Sequence, residues 1–222
     1  KTRTIGISKS NTDYLSKNII NIDKLLWKIK KIEIFSDNLK KQKLIEFKKD
    51  NENIFSIVKN YEFYQLLKRH LSKNKYAKLK FFTSKNLSLI DNYDLVVNCD
   101  PSNTLTKKYF NKKIVKNYNS NAYTSIISHE KILNDTAVQI FTEKGPLAFL
   151  PISKTQTSIV YSIPNSMNEK KNNIKKLILN KNFKYKIKTI EKINCFELKS
   201  LNLRTYYYNN ILAFGDMLHK IH

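Results

Sequence analysis

The sequence predicts a mixed α/β protein in which a parallel α/β part is interleaved with an antiparallel β-sheet part. Three observations carry this. The runs "YDLVVNCD" (93–100) and "ILAFGD" (211–216) are apolar and end on polar residues, as strands buried on both faces do. Between 106 and 165, "AYTSIISHEKI", "TAVQIFTEKG", "LAFLPIS" and "TSIVYSIP" follow one another with turn-like breaks, as antiparallel strands do. Residues 10–22 and 58–72 place apolar side chains at helical spacing.

Taken in order, "SNTDYLSKNIINI" (10–22) opens on Ser and Asn caps and predicts a helix. "WKIKKIEIFSD" (27–37) alternates and predicts one strand, with "KLIEF" (43–47) as its partner. "VKNYEFYQLLKRHLS" (58–72) predicts an amphipathic helix. "AKLKFF" and "LSLI" predict short strands leading into the run at 93–100. After the antiparallel series, "NSMNEKKNNIKKLILNKNF" predicts a polar, Lys-rich helix, and "CFELKSLNLRTYYYNNILAFGD" a return to strands. There is no internal repeat and no Pro/Gly linker, so the two parts form interleaved layers.

Composition narrows the function classes. Hydrophobic residues make up 41% of 222, which is globular, and no apolar run approaches a membrane span. The net charge of +23 points to nucleic acid or an anionic membrane surface. Yet Arg3, Arg69 and Arg204 are the only arginines, and forked guanidinium groups are what base and phosphate recognition lean on. A solvated lysine surface is the plainer account. Cys99 and Cys195 each sit in an apolar run, which predicts two buried thiols in a reducing cytosol. Glycine is scarce: Gly6, Gly145 and Gly215 are expected where the backbone geometry is demanding.

Three stretches could carry chemistry. "NNILAFGDMLHKIH" puts Asp216 at the C-terminal end of a strand, where open α/β sheets bind ligands. If a helix followed, its amides would face phosphate; an ordinary strand-to-helix turn reads the same. His219 and His222, three apart, lack the further ligands of a metal site, so no metal is assigned. "YDLVVNCDPSN" puts Asp100 at a second strand end, and Asp-Pro-Ser-Asn is also good turn chemistry. "FTEKGPLAFLPIS" breaks at Gly145-Pro146 and stops at Pro151, as a β-turn or as a strand lining an apolar pocket.

"RTIGIS", Trp27, "YDLVVNCD", "FTEKGPLAFLPIS" and "ILAFGDMLHKIH" together resemble, in order and spacing, the FAD-dependent aromatic-ring hydroxylases of ubiquinone biosynthesis. These are flavoprotein monooxygenases typified by para-hydroxybenzoate hydroxylase. The resemblance implies a partial Rossmann-like FAD-binding domain (1–26, 52–105, 206–222) interleaved with an antiparallel substrate-binding domain (27–51, 106–205). It implies FAD as cofactor, NAD(P)H as reductant, O2, and a polyprenyl phenol as substrate. Gly215, Asp216, His219, Asp100 and Arg3 match cofactor-binding positions. Gly145, Pro146, Leu147, Phe149 and Pro151 match the substrate side. No catalytic acid or base is assigned. Implied partners are the aromatic substrate, a peripheral contact at the inner membrane, or a ubiquinone-biosynthesis complex, with no nucleic acid.

The sequence departs from that pattern at defined places. There is no G-x-G-x-x-G turn, no Pro/Gly-rich loop after the second His, Pro101 stands for the usual Gly, and Tyr61 for a usual Arg. The chain is therefore expected to be a fragment cut at both ends, inactive and weak for FAD by itself. Two alternatives stay open: a basic single-stranded nucleic-acid-binding module using "TYYYNN", and a non-catalytic relative that keeps the fold.

Overall fold

In the computed structural model, which describes residues 3–37, 42–49, 52–80, 90, 92–167, 169 and 171–220, the chain divides into two units. The larger holds 1–77 and 121–196, the smaller 78–120 and 197–222. These limits differ from the boundaries implied by the resemblance, because 1–26 and 52–77 fall with the larger unit.

Two sheets build the larger unit. The first is antiparallel, with β1 (Thr4–Ser8), β5 (Phe55–Lys59) and β2 (Trp27–Ile29) in the order β1-β5-β2. α1 (Lys9–Asn18) starts where the Ser8 hydroxyl accepts the Asn11 amide at 3.3 Å. It stops four residues before the expected end, and Ile20 and Ile22 turn into the core with Ile7 and Val58. α2 (Asn60–Ser72) begins after β5, so the helical spacing seen from 58 overlaps a strand end.

The strand expected at 27–37 is two strands in two sheets. The Lys30 and Lys31 amides both donate to the Asp135 carbonyl, and the chain changes sheet there. β3 (Lys31–Ser36) then pairs antiparallel with β4 (Gln42–Lys48) and parallel with β8 (Thr136–Thr142). The second sheet continues through β9 (Gly145–Pro151) and β10 (Gln156–Pro164) to β7 (Lys113–His129), with β11 (Ile187–Ile190) on β7. Ile174 and Ile178 of α4 (Lys171–Lys181) belong to the apolar cluster of Ile140, Leu147, Phe149, Ile159 and Tyr161. Each such side chain contributes roughly 1.5–3 kcal/mol on burial. A second cluster, with Ile29, Ile57, Ile126, Ala137 and Ile152, joins the two sheets.

A buried polar group sits within this unit. The Tyr185 hydroxyl donates to the Asn134 side-chain oxygen at 3.2 Å, and the Asn134 amide donates to Thr157 Oγ1 at 3.0 Å. Thr157 Oγ1 meets His129 Nε2 at 3.0 Å, and Trp27 Nε1 donates to the Asn134 carbonyl at 2.6 Å. Burial pushes the Tyr185 phenol up to about 12.

The smaller unit is built on β6 (Val96–Asn98), β13 (Tyr207–Tyr208) and β14 (Ile211–Ala213) in the order β13-β14-β6. β14 runs parallel to β6, with Ile211 opposite Val96 and Ala213 opposite Asn98. β13 and β14 are joined by Asn209-Asn210, and Asn209 takes φ +49°, work that glycine does in most chains. β15 (His219–Lys220) pairs with β12 (Asn194–Leu203), placing His219 opposite Asn202. α3 (Thr104–Tyr109) helps close a core of Ile90, Leu105, Phe110, Leu203, Ile211, Ala213 and Met217.

Several expectations need correction here. The run at 93–100 is not buried on both faces: Leu95 is 60% and Val97 49% exposed. Its strand is only three residues long and lies at the end of its sheet's order. Cys99 and Cys195 are both exposed. Tyr206, Tyr207 and Tyr208 are exposed. Residues 77–80 form no strand, and the rest of "AKLKFF" and most of "LSLI" lie outside the described residues. Among the described residues, no helix is long and apolar enough to cross a membrane.

Candidate functional site

In the smaller unit, the parallel pair brings the two predicted carboxylates to one sheet edge. β6 leads into Asp100 and β14 into Asp216, and the Phe214 amide donates to the Asn98 carbonyl at 2.9 Å just where both strands end. This is the edge at which open parallel sheets bind ligands.

A buried side-chain group holds that edge. Asn98 is 4% exposed; its amide donates to Thr106 Oγ1 at 2.9 Å and its oxygen accepts from Asn103 at 2.8 Å. Asn103 caps α3 by accepting the Thr106 amide at 2.9 Å. The Thr106 hydroxyl donates to the Asp100 carbonyl and touches Met217 Sδ at 3.3 Å. Thr106 thus ties the loop after β6 to the turn after β14. The sequence reading did not single out Asn98, Asn103 or Thr106. A polar Asn closing an apolar strand, followed by Asn-x-x-Thr, was the available signal.

The two carboxylates differ in what they do. Asp100 accepts from both the Ser102 hydroxyl (2.7 Å) and the Ser102 amide (2.8 Å). The Ser102 hydroxyl, and after it the amide, hold its carboxyl below the usual carboxylate range. It is engaged in its own turn. Asp216 is exposed and has no partner among the described residues. Gly215 before it has φ +66°, and nothing lies within 4 Å of where a Cβ would be. The backbone there is open to close approach.

No α-helix follows Gly-Asp. Gly215–Met217 form a single 3-10 turn, closed by the Leu218 amide on the Gly215 carbonyl at 3.0 Å. The phosphate-facing helix start considered for this place is therefore absent, because the chain goes directly into β15. His219 Nδ1 lies 3.2 Å from the Asn202 side-chain oxygen, and His222 lies outside the described residues. Among the described residues no group of three or more His, Cys, Asp or Glu could hold a metal.

Arg3 lies in the larger unit. It precedes β1, and its guanidinium stands 5.3 Å from the centre of the Phe196 ring. With Asn60, Tyr61 and Tyr64 it lines a cleft of about 290 Å³. The Arg3 carbonyl accepts the Asn60 amide at 3.0 Å, which fixes the start of α2 beside it.

Gly145 to Pro151 form the whole of β9, between β8 and β10. Leu147 and Phe149 are 0% and 2% exposed and sit in the apolar cluster with α4. Pro151 is also buried, whereas Pro146 is exposed. The strand's alternation therefore commits Leu147 and Phe149 to the core.

The residues fit one end of a flavin dinucleotide. Gly215 offers open backbone, and Asp216 a free acceptor for a ribityl hydroxyl. They do not supply a pyrophosphate cradle, since no two of the three glycines lie near each other in the chain.

No family model matches this chain, and no curated protein matches it. Solved structures do match. p-Nitrophenol 4-monooxygenase PnpA from Pseudomonas putida DLL-E4 superimposes with a TM-score of 0.72 at 9% identity, covering 99% of this chain and 64% of that one. For pqsL, a probable FAD-dependent monooxygenase from Pseudomonas aeruginosa, the TM-score is 0.72 at 11% identity, covering 100% and 70%. For a triple mutant of the flavin-dependent brominase Bmp2 it is 0.65 at 12%, covering 96% and 62%. The chain spans 64% of the length of the first of these. It shares its fold with these proteins.

Proposed function

We propose that this chain is part of a FAD-dependent monooxygenase that hydroxylates an aromatic ring, with a polyprenyl phenol of ubiquinone biosynthesis as substrate and NAD(P)H as reductant. One observation carries the reading: Gly215-Asp216, open and unpartnered, at the end of a strand that runs parallel to the strand leading into Asp100. The fold shared with flavin-dependent monooxygenases supports it. When bound, the flavin would accept hydride from the nicotinamide and activate O2. Asp216 would hold a ribityl hydroxyl, and the Gly215 backbone would allow the chain of the cofactor to lie against it. The exposed Pro146 is the β9 residue left to meet substrate, with Gly145 setting its turn.

A flavin titration followed by fluorescence quenching tests this. Because the ribityl end fits and the pyrophosphate cradle is missing, FAD and FMN should bind weakly and about equally. Asp216→Asn should weaken both about tenfold, the worth of one charge-assisted hydrogen bond. Tight FAD binding with FMN excluded, or no change with Asp216→Asn, would overturn the assignment. Substrate class is tested by mass spectrometry: a short-chain polyprenyl phenol should gain one oxygen atom in the presence of NAD(P)H and flavin.

One observation favours a second reading, a non-catalytic relative that keeps the fold: the Asp100 carboxylate is taken up by Ser102 after Pro101. NAD(P)H oxidation by the flavin-loaded chain at no more than the rate of free flavin would support it. A basic nucleic-acid module is not favoured, since the fold is that of monooxygenases.

A further inference from the structure

The C-terminal end of α2 carries a feature that the flavin reading leaves unused. A cleft of about 250 Å³ is lined by Ile20, Leu66, Arg69, His70 and Lys73. Its floor is aliphatic, because Ile20 and Leu66 pack against the Ile7–Ile22–Val58 core. Its rim is basic. From Phe63 to Lys80 the chain carries six Lys or Arg and no Asp or Glu.

Cations in the last turn of a helix have an ordinary account in the helix dipole. Two observations exceed it. Among the described residues, Lys68, Arg69, Lys73 and Lys75 have no acidic partner, whereas many lysines elsewhere in this unit do. Beside them large apolar side chains open to water: Leu71 is 44%, Ile19 49% and Tyr76 84% exposed. Together these cations and apolar side chains make an amphipathic face. A phosphate-bearing apolar surface meets both, with cations at the headgroups and Leu and Tyr below them.

We propose that this end of α2 docks on an anionic phospholipid surface, its cleft taking a headgroup phosphate between Arg69 and Lys73 while Leu71 and Tyr76 enter the acyl boundary. The docking does not depend on flavin binding. It is read by vesicle co-sedimentation, using phosphatidylcholine vesicles with and without about one third phosphatidylglycerol.

The chain should sediment with the anionic vesicles and not with the neutral ones. Arg69→Glu with Lys73→Glu should weaken this at least tenfold, at about fivefold per cation removed. Leu71→Ser with Tyr76→Ser, which leaves the charge unchanged, should weaken it at least threefold. The charge-matched control, Lys131→Glu with Lys154→Glu on exposed loops, should change it less than twofold. Thermal melts of each variant separate loss of binding from loss of fold. Equal losses in the control would reduce the effect to net charge and overturn the proposal. So would full release of the protein by inorganic phosphate, which marks a free-anion site, or by a single-stranded oligonucleotide, which marks a nucleic-acid face.

Discussion

Gly145 and Gly215 both hold positive φ, +127° and +66°, and their surroundings are opposite. At Gly145, the first residue of β9, a Cβ would stand 2.2 Å from the Ser162 carbonyl oxygen. The Thr142 hydroxyl donates to the Gly145 carbonyl at 2.7 Å and lies 2.8 Å from the buried Tyr161 hydroxyl. At Gly215, at the end of β14, a Cβ would meet nothing within 4 Å. One glycine is required by the protein's own neighbouring strand. The other leaves backbone open to something that arrives from outside. The contrast separates a residue kept for packing from one available for binding, although the sequence shows both as a lone glycine after an unremarkable run.

The sharpest way to break this contrast is Gly145→Ala. The new methyl group meets fixed backbone at a φ that L-residues rarely adopt, so stability should fall by about 3 kcal/mol or more, read as the urea midpoint. An unchanged midpoint would mean that the β8–β9 turn relaxes and the contrast fails. Next comes the buried polar group of the same unit. Tyr185 has a folded pKa raised to about 12 against an ordinary 10. Its contribution is fully present below pH 10 and is lost as pH rises through 12, on the order of 2–3 kcal/mol. Tyr185→Phe should flatten that alkaline loss in pH-dependent urea titrations.

At the other glycine, Gly215→Ala should cost only about 1 kcal/mol, the strain of the left-handed φ, while weakening flavin binding. Asp216→Asn should leave the urea midpoint within about 0.5 kcal/mol of the parent. Loss of stability there would show a structural role and remove the contrast. The smallest effect is at Asp100, whose folded pKa is lowered by Ser102. Its contribution is present above the ordinary carboxylate pKa and is lost as pH falls through the lowered value. Asp100→Asn should reduce the acid sensitivity of unfolding measured by circular dichroism.

Much of the architecture was legible beforehand. Apart from α3 at its start, the antiparallel series at 106–165, with the β3–β4 pairing and the helices α1, α2 and α4, follows from periods of 2 and 3.6, which are local. The edge holding Asp100 and Asp216 was half legible. Each strand end could be read, and the Asn98–Asn103–Thr106 group left a local signal, while its tie to Met217, 111 residues away, left none. The change of sheet at Lys30 was hidden for the same reason, since the Asp135 carbonyl that receives those amides lies over 100 residues on.

By itself the sequence determined most of the strands and the helices α1, α2 and α4, that two carboxylates stand at strand ends, and that Gly145 and Gly215, though not Gly6, mark special backbone. Tertiary structure alone decided that β14 lies parallel to β6, that Val97 and Leu95 face water, and that Asp100 is engaged while Asp216 is not. Side-chain periodicity is fixed by neighbours two to four residues away. Burial and partnership are fixed by segments that folding brings from a hundred residues off.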